Sequence, residues 1–421
     1  MNLKREIKYL LGFILFYVFF YLFPFQERIL QGLKEGALLL NWYAREHVLF
    51  CLIPAFYIAG AISTFISKES VLKYLGPDAS KVPAFLVASV SGSILSVCSC
   101  TVLPLFAGLY LQGAGIGPAT TFLYSGPAIN VLAIVLSAKV LGLNIGIARA
   151  IGSISMGILI GIIMHFLFRE SEKQRLSSFQ GFQAEKGLSL GKSSFFLGTL
   201  IAILLVATSQ LQFKWPLLYL LYLLLLTEMR VFFNIDLKTI VISAVLVLFL
   251  DFIQPYREIS FIGGVILISY IANKKRGILG EWFDNSYILA KQIFPLLFLG
   301  VFTSGFLFGG VEGEGYIPKR FIETFFGGTG FLTHLLSATT TALMYFATLT
   351  EVPIIQGLMA QGVKAGPALA MLLAGPAVSL PSLLVLRAIM GTKKTLTYAL
   401  LVIIISSIYG YFYQIFFSIK P

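Results

Sequence analysis

Between Val82 and Ala138 the chain carries no Asp, Glu, Lys, Arg or His. Few environments accept so long an uncharged stretch. A run of ~20 apolar residues spans the hydrocarbon core of a bilayer. Backbone groups there must be satisfied internally, which leaves helices or closed barrels. Comparable runs recur at roughly 8–26, 47–67, 82–111, 115–139, 144–168, 193–212, 215–233, 237–254, 259–272, 284–309, 325–350, 352–390 (interrupted) and 395–417. Their length selects helices. The expected fold is all-α, a polytopic integral membrane protein with about 10–13 membrane segments. Composition agrees: 57% of residues are hydrophobic and 12% charged, against about 25% charged in soluble domains.

The net charge of +12 gathers at the ends of these runs and in loops. That distribution suits anionic lipid headgroups and not nucleic acid. The bilayer is the expected partner, in the inner (cell) membrane with multiple passes. Charge leaves a homo-oligomer open. Lys4, Arg5 and Lys8 precede an apolar run to Phe25 with no small-residue cleavage site after it, so the run reads as a retained helix. The polar stretch 169–192 and the cluster Lys274-Lys275-Arg276 read as cytoplasmic by their Lys/Arg excess. Charge leaves the side of the N-terminus open.

The chain also repeats itself. Thr101–Gly142 aligns without a gap on Thr350–Gly391 at an offset of 249, with 14 of 42 positions identical. The matches include Thr101/Thr350, Pro104/Pro353, Gly113/Gly362, Gly126-Pro127-Ala128/Gly375-Pro376-Ala377 and Gly142/Gly391. Compositional bias does not place two Gly-Pro steps in register, so the halves read as a duplication. The expected division is an N-terminal helix and linker (1–46), a first transport repeat (47–168), a polar loop (169–192), middle helices (193–276) and a second repeat (277–421). Proline removes a helix hydrogen bond and glycine loosens the same point. Broken segments in matching positions of two halves point to a transporter's substrate site. Sequence leaves open whether the repeats are parallel or inverted, and whether 82–111 is a broken span or holds a hairpin.

Two of the three cysteines, Cys98 and Cys100, stand beside this feature in Ser96-Val97-Cys98-Ser99-Cys100-Thr101, just before Pro104. Paired thiolates suit Cu(I), Zn(II) or a thiophilic metalloid. On a regular helix they would point ~200° apart, so sharing an ion needs unwound backbone. The alternative is plain packing, which is the reading for the isolated Cys51. In the second repeat Glu351 replaces Val102, and a carboxylate within a membrane marks a pathway or proton relay. Asn130 and its partner Ser379 either line the pathway or satisfy groups freed at the breaks. His334, ahead of a hydroxyl-rich patch, is a weaker candidate for a ligand or proton carrier. The stretch Gly187–Ser193 imitates a phosphate-binding loop, but the required first glycine is Lys186. No ATPase, other enzyme or resident cofactor is expected; energy would come from an ion gradient first of all, or from the membrane potential, the substrate gradient or a separate subunit.

Taken together, Val97-Cys98-Ser99-Cys100 with Pro104, Gly113–Ala119, Ser125-Gly126-Pro127-Ala128-Ile129-Asn130, Glu351-Val352-Pro353 and Leu373-Ala374-Gly375-Pro376-Ala377 resemble the predicted permease family that includes methylarsenite efflux permeases and YraQ-like proteins. The likeness covers both repeats, and the Cys-Ser-Cys form is similar to its copper/zinc efflux branch. The resemblance implies export of a toxic thiophilic species (a trivalent arsenical, copper or zinc) from the cytoplasm. Two other readings of the residues stay open at this stage. One is a transporter of an organic or sulfur-containing solute, with structural cysteines. The other is a membrane thiol oxidoreductase, although such enzymes use Cys-x-x-Cys pairs.

Overall fold

A computed structural model describes residues 25–65, 74–76, 81–95, 99–177, 190–209, 211–253, 257–309, 313, 315–317, 326, 328–345, 351–360 and 362–418. The protein is all-α and polytopic, with no strand among these residues. Among the described residues six helices are long and apolar enough to cross a membrane: Glu27–Phe65, Leu143–Arg175, Gly191–Thr208, Lys214–Phe233, Gly277–Phe308 and Thr392–Phe416. A bent pair, Ile116–Ala128 with Ala133–Val140, makes a seventh crossing if it is taken as one span. Shorter apolar helices among the described residues include Thr101–Leu111, Ala365–Ala374 and Leu380–Met390; the expected N-terminal membrane helix up to residue 24 lies outside the described residues.

The first helical rod is continuous. It comprises α1 (Phe25–Tyr43), a π-helical segment (Ala44–Leu52) and α2 (Ile53–Phe65). Residues 27–46, expected as a linker, are therefore helical. Packing explains it: Gly32 and Gly36 bring α1 so close to Phe306 and Phe302 that a Cβ would meet their backbone oxygens. The charged residues of this stretch hid that contact face from a reading based on apolar runs.

Next come α3 (Lys81–Leu95), α4 (Ser99–Leu111), α5 (Ile116–Ala128), α6 (Val131–Val140) and the long α7 (Leu143–Ser177). Four middle helices follow: α8 (Leu190–Thr208), α9 (Lys214–Phe233), α10 (Leu237–Ile253) and α11 (Arg257–Lys275). The second half holds α12 (Gly277–Phe308), α13 (Phe331–Leu343), α14 (Glu351–Ala360), α15 (Ala365–Ala374), α16 (Leu380–Met390) and α17 (Thr392–Ser418). Shifted by 249 residues, the first rod falls on α12, and α3 to α7 fall on α13 to α17. The duplication thus extends beyond the aligned motifs to six elements per half.

Local geometry repeats as well. Gly113 and Gly362 have φ of 107° and 106°, which L side chains rarely adopt. Their amides bond the carbonyls of Tyr110 and Met359 at 3.1 and 3.0 Å.

The halves are inverted. Along the first rod and α12, Gly36 approaches Phe302, Tyr43 meets Phe298, Gly60 approaches Ser286, and Asn285 bonds Thr64. One number rises as the other falls, so these equivalent helices run antiparallel. The same holds for α7 and α17, where Ser155 pairs with Tyr409 and Glu172 with Lys394. Near the pseudo-twofold axis, the Tyr124 hydroxyl donates to the carbonyl of Leu373, its own repeat equivalent, at 3.1 Å. The halves also exchange partners: α14 packs on α6, and α16 on α4.

Several ends meet on one face. Ser193 donates to the Phe65 carbonyl at 3.2 Å, Arg175 to the Tyr110 carbonyl at 2.7 Å, and Lys275 to the Asn234 carbonyl at 2.8 Å. With Lys274, Arg276, Lys393 and Lys394 these form a lysine-rich end. The Lys/Arg excess marks such an end as cytoplasmic.

Candidate functional site

Helix α3 is described to Leu95 and α4 from Ser99, so the backbone of Cys100 is helical. Cys98 and the side chain of Cys100 lie outside the described residues, as does Thr350. Helix α3 packs on α5 and α7, whereas α4 packs on α2 and α5. Thr101, Val102 and Leu103 are buried at 0%, 2% and 2% exposure, so α4 enters a protein interior and not lipid. Pro104 lies inside α4, and Pro353 sits in the first turn of α14, where a missing N–H costs nothing.

Each Gly-Pro step ends a helix. Helix α5 finishes one residue after Pro127, and α15 finishes at Ala374, just before Gly375-Pro376. The residues behind each step cap the next helix. Asn130 Oδ1 accepts from the Ala133 amide at 3.3 Å. Ser379 forms a capping box with Ser382, with bonds of 3.4 and 2.8 Å. Side chains thus meet amides that the breaks leave free inside the membrane.

The break before α14 holds the buried charge. Glu351, 1% exposed, is the first residue of α14 and pairs with Arg149 of α7, which is fully buried. Arg149 also donates to Ser137 Oγ of α6 at 2.8 Å. The pair therefore bridges the two halves. It is made at a single point: among the described residues Arg149 Nε and Glu351 Oε2 are buried without a hydrogen-bond partner. A carboxylate so held has an opposite charge beside it within the protein.

Residues 34–415 match the ArsP_1 family of predicted permeases. The chain belongs to this family. It is similar to the UPF0718 protein MJ0584 of Methanocaldococcus jannaschii, 39% identical over 369 residues that cover 88% of this chain and 92% of that protein. It is also similar to the UPF0718 protein YcgR of Bacillus subtilis, 22% identical over 129 residues, 30% of this chain and 43% of that protein. No solved structure matches it. The protein is a multi-pass membrane transporter.

In this permease His334 has a packing environment. It is buried on α13, its Nδ1 lies 2.9 Å from the Gly330 carbonyl, and its ring meets Tyr411 edge-on at 5.6 Å. A Cβ added at Gly366 would collide with its Nε2, so ring and glycine fix the approach of α13 to α15. Among the described residues no group of three His, Cys, Asp or Glu could hold a metal ion.

Reasoning from the sequence missed Arg149 and Ser137. The signal was present: Arg149 is the one Lys or Arg between Lys139 and Arg169, and an intramembrane charge usually has a partner of opposite sign. It also missed a cluster at the lysine-rich end. There Glu172, 1% exposed, accepts from Tyr110 at 2.8 Å, Arg175 at 2.9 Å and Lys394 at 2.5 Å. This cluster again joins α7 to α17.

Proposed function

We propose that this permease exports a thiophilic metal or metalloid species, a trivalent arsenical, copper or zinc, from the cytoplasm across the inner membrane. Cys98 and Cys100 would take the cargo as thiolates. The observation that supports this reading is the burial of Thr101, Val102 and Leu103 directly after the cysteines, which sets that end of α4 against protein and not lipid. A regular helix would hold two such sulfurs on opposite faces, so the reading needs unwound backbone at Cys98. Two sulfur donors make a weak site, which suits cargo that must also leave.

The inverted halves supply a means of moving it. Alternating access in such folds is largely the rocking of one repeat against the other. In this reading α4 with α16 and α14 with α6 form two seams that open in turn. The transport repeats (47–168 and 277–421) act on the cargo without chemical change to it, and a gradient drives the cycle.

The test is a tolerance screen in a metal-sensitive bacterial host. Wild type, Cys98→Ser, Cys100→Ser and Cys51→Ser are compared for arsenite, methylarsenite, copper and zinc. The first two variants are expected to lose protection and Cys51→Ser to keep it. Full protection by a Cys98→Ser/Cys100→Ser double variant would favour an organic or sulfur-containing solute.

A further inference from the structure

We propose that Glu351 is the proton-coupling residue of this permease: the seam between α14 and α6 opens only after Glu351 takes up a proton. The inference rests on the permease reading but not on the identity of the cargo.

Arg149 is held by Ser137, and both belong to the first half, whereas Glu351 belongs to the second. When α14 leaves α6, Arg149 stays with its serine and Glu351 departs alone. Two bare charges would then stand in a medium of low dielectric, at a cost of several kcal/mol per ion. An arginine does not shed its proton in a protein. The carboxylate can gain one. Proton uptake on Glu351 turns –COO⁻ into –COOH, leaves the positive charge on Arg149 beside Ser137 Oγ, and removes the attraction that closes the seam. The bare Oε2 gives the proton a place to go without first breaking a bond.

Among the described residues no other carboxylate stands beside the pair. On α6 the only titratable group is Lys139, which is exposed, and α15 has none. From α5 comes Tyr124, bonded to the Leu373 carbonyl, and from α17 Tyr409, paired with Ser155. On α7 the acids Glu170 and Glu172 stand more than twenty residues beyond Arg149, about 30 Å along the helix.

The inverted repeat sharpens the argument. Shifted by 249, the positions of Glu351, Arg149 and Ser137 are Val102, Tyr398 and Leu386. The equivalent seam, α4 on α16, therefore has no ion pair at this point. Glu172 does bind Lys394 near the lysine-rich end, but Lys394 and Arg175 there are 14% and 20% exposed, so water can solvate them as they part. Opening toward the lysine-rich face needs no proton. Opening toward the other face does. One scaffold thus gives two gates with different requirements.

The test reads the gate directly and needs no cargo. Ile355 lies one turn beyond Glu351 on α14, 1% exposed in the closed seam. Ile355→Cys is placed in the full chain with Cys51, Cys98 and Cys100 changed to Ser. Intact cells are labelled with a membrane-impermeant maleimide from pH 8 to pH 5, and rates are normalised to the same thiol in denatured protein. The labelling rate should rise about tenfold per pH unit where Glu351 titrates, as one linked proton requires. Adding Glu351→Gln should make labelling fast and independent of pH. Adding Glu351→Asp should keep the slope. A flat profile in the reporter itself overturns the proposal, whether or not the variants fold. So does a Glu351→Gln chain that elutes as folded protein yet keeps the parent slope. A failed metal screen beside an intact slope would sink the cargo reading alone.

Discussion

Replacing Arg149 and Glu351 singly and together separates the stability of their pair from its use in transport. Both side chains are buried, at 0% and 1% exposure. Removing one partner of such a pair costs about 3–5 kcal/mol, because an uncompensated charge stays behind. The two single variants should differ. Glu351→Gln strands a guanidinium that cannot be neutralised, so its loss should reach that range at any pH. Arg149→Met strands a carboxylate that can bind a proton, so its loss should shrink as pH falls toward 5. The double variant Arg149→Met/Glu351→Leu puts apolar groups in place of both charges and should lie within about 1 kcal/mol of the parent. The coupling energy would then exceed the 0.5–3 kcal/mol usual for contacting residues. Denaturant titration in detergent micelles, followed by fluorescence that includes the fully buried Trp282, gives the four values. Additive losses would refute the pairing, and with it the bridge between the halves. The double variant should nevertheless lose gradient-driven transport, since no titrating group is left at that seam.

Other expectations follow from packing and from the second cluster. Gly366→Ala should destabilise the fold by about 1–3 kcal/mol, since a Cβ there would meet His334 and the backbone of Gly410. Gly357→Ala, with open space around that Cβ, should be neutral or add up to about 1 kcal/mol in the same titration. Glu172→Gln removes the acceptor shared by Arg175 and Lys394. It should loosen the lysine-rich end, seen as faster proteolysis there, with no change in the pH slope of Ile355→Cys labelling.

Much of this architecture was legible because its determinants are local. A Gly-Pro step breaks a helix wherever it stands, so two steps 249 residues apart announced two matched breaks. The cap residues Asn130 and Ser379 could be placed beside them for the same reason. Inversion was not legible. It depends on how many crossings separate the halves, and helices of 10–15 residues such as α4, α6, α14 and α16 do not declare by length whether each crosses. The first rod was hidden because Glu27, Arg28, Lys34 and Glu35 interrupt its apolar pattern while glycines form its contact. Arg149 was overlooked because its meaning lies in a partner 202 positions away. Glu351, its other half, was noticed only because the alignment set it against a valine.

Duplication alone would give two equal gates and no direction. Direction requires that equivalent positions differ in chemistry, and here they do. The first half has Cys98 and Cys100; the equivalent positions in the second are Ala347 and Leu349. At the first turn of α14 the chain has Glu351 against Val102. The backbone of Cys100 lies ten residues along α4 from Tyr110, whose carbonyl Arg175 holds at the lysine-rich end, a reach of about 15 Å. Glu351 lies beside Arg149, 26 residues from Arg175 on the same helix, or about 39 Å. The backbone of Cys100 thus stands nearer the end that gathers lysines, and the acid nearer the opposite one. Cargo bound as a thiolate adduct needs no proton until its ligands must let go, and a proton that enters from the far side meets the ion pair first. A chain built this way would load on one face and unload on the other without any difference in backbone between its halves.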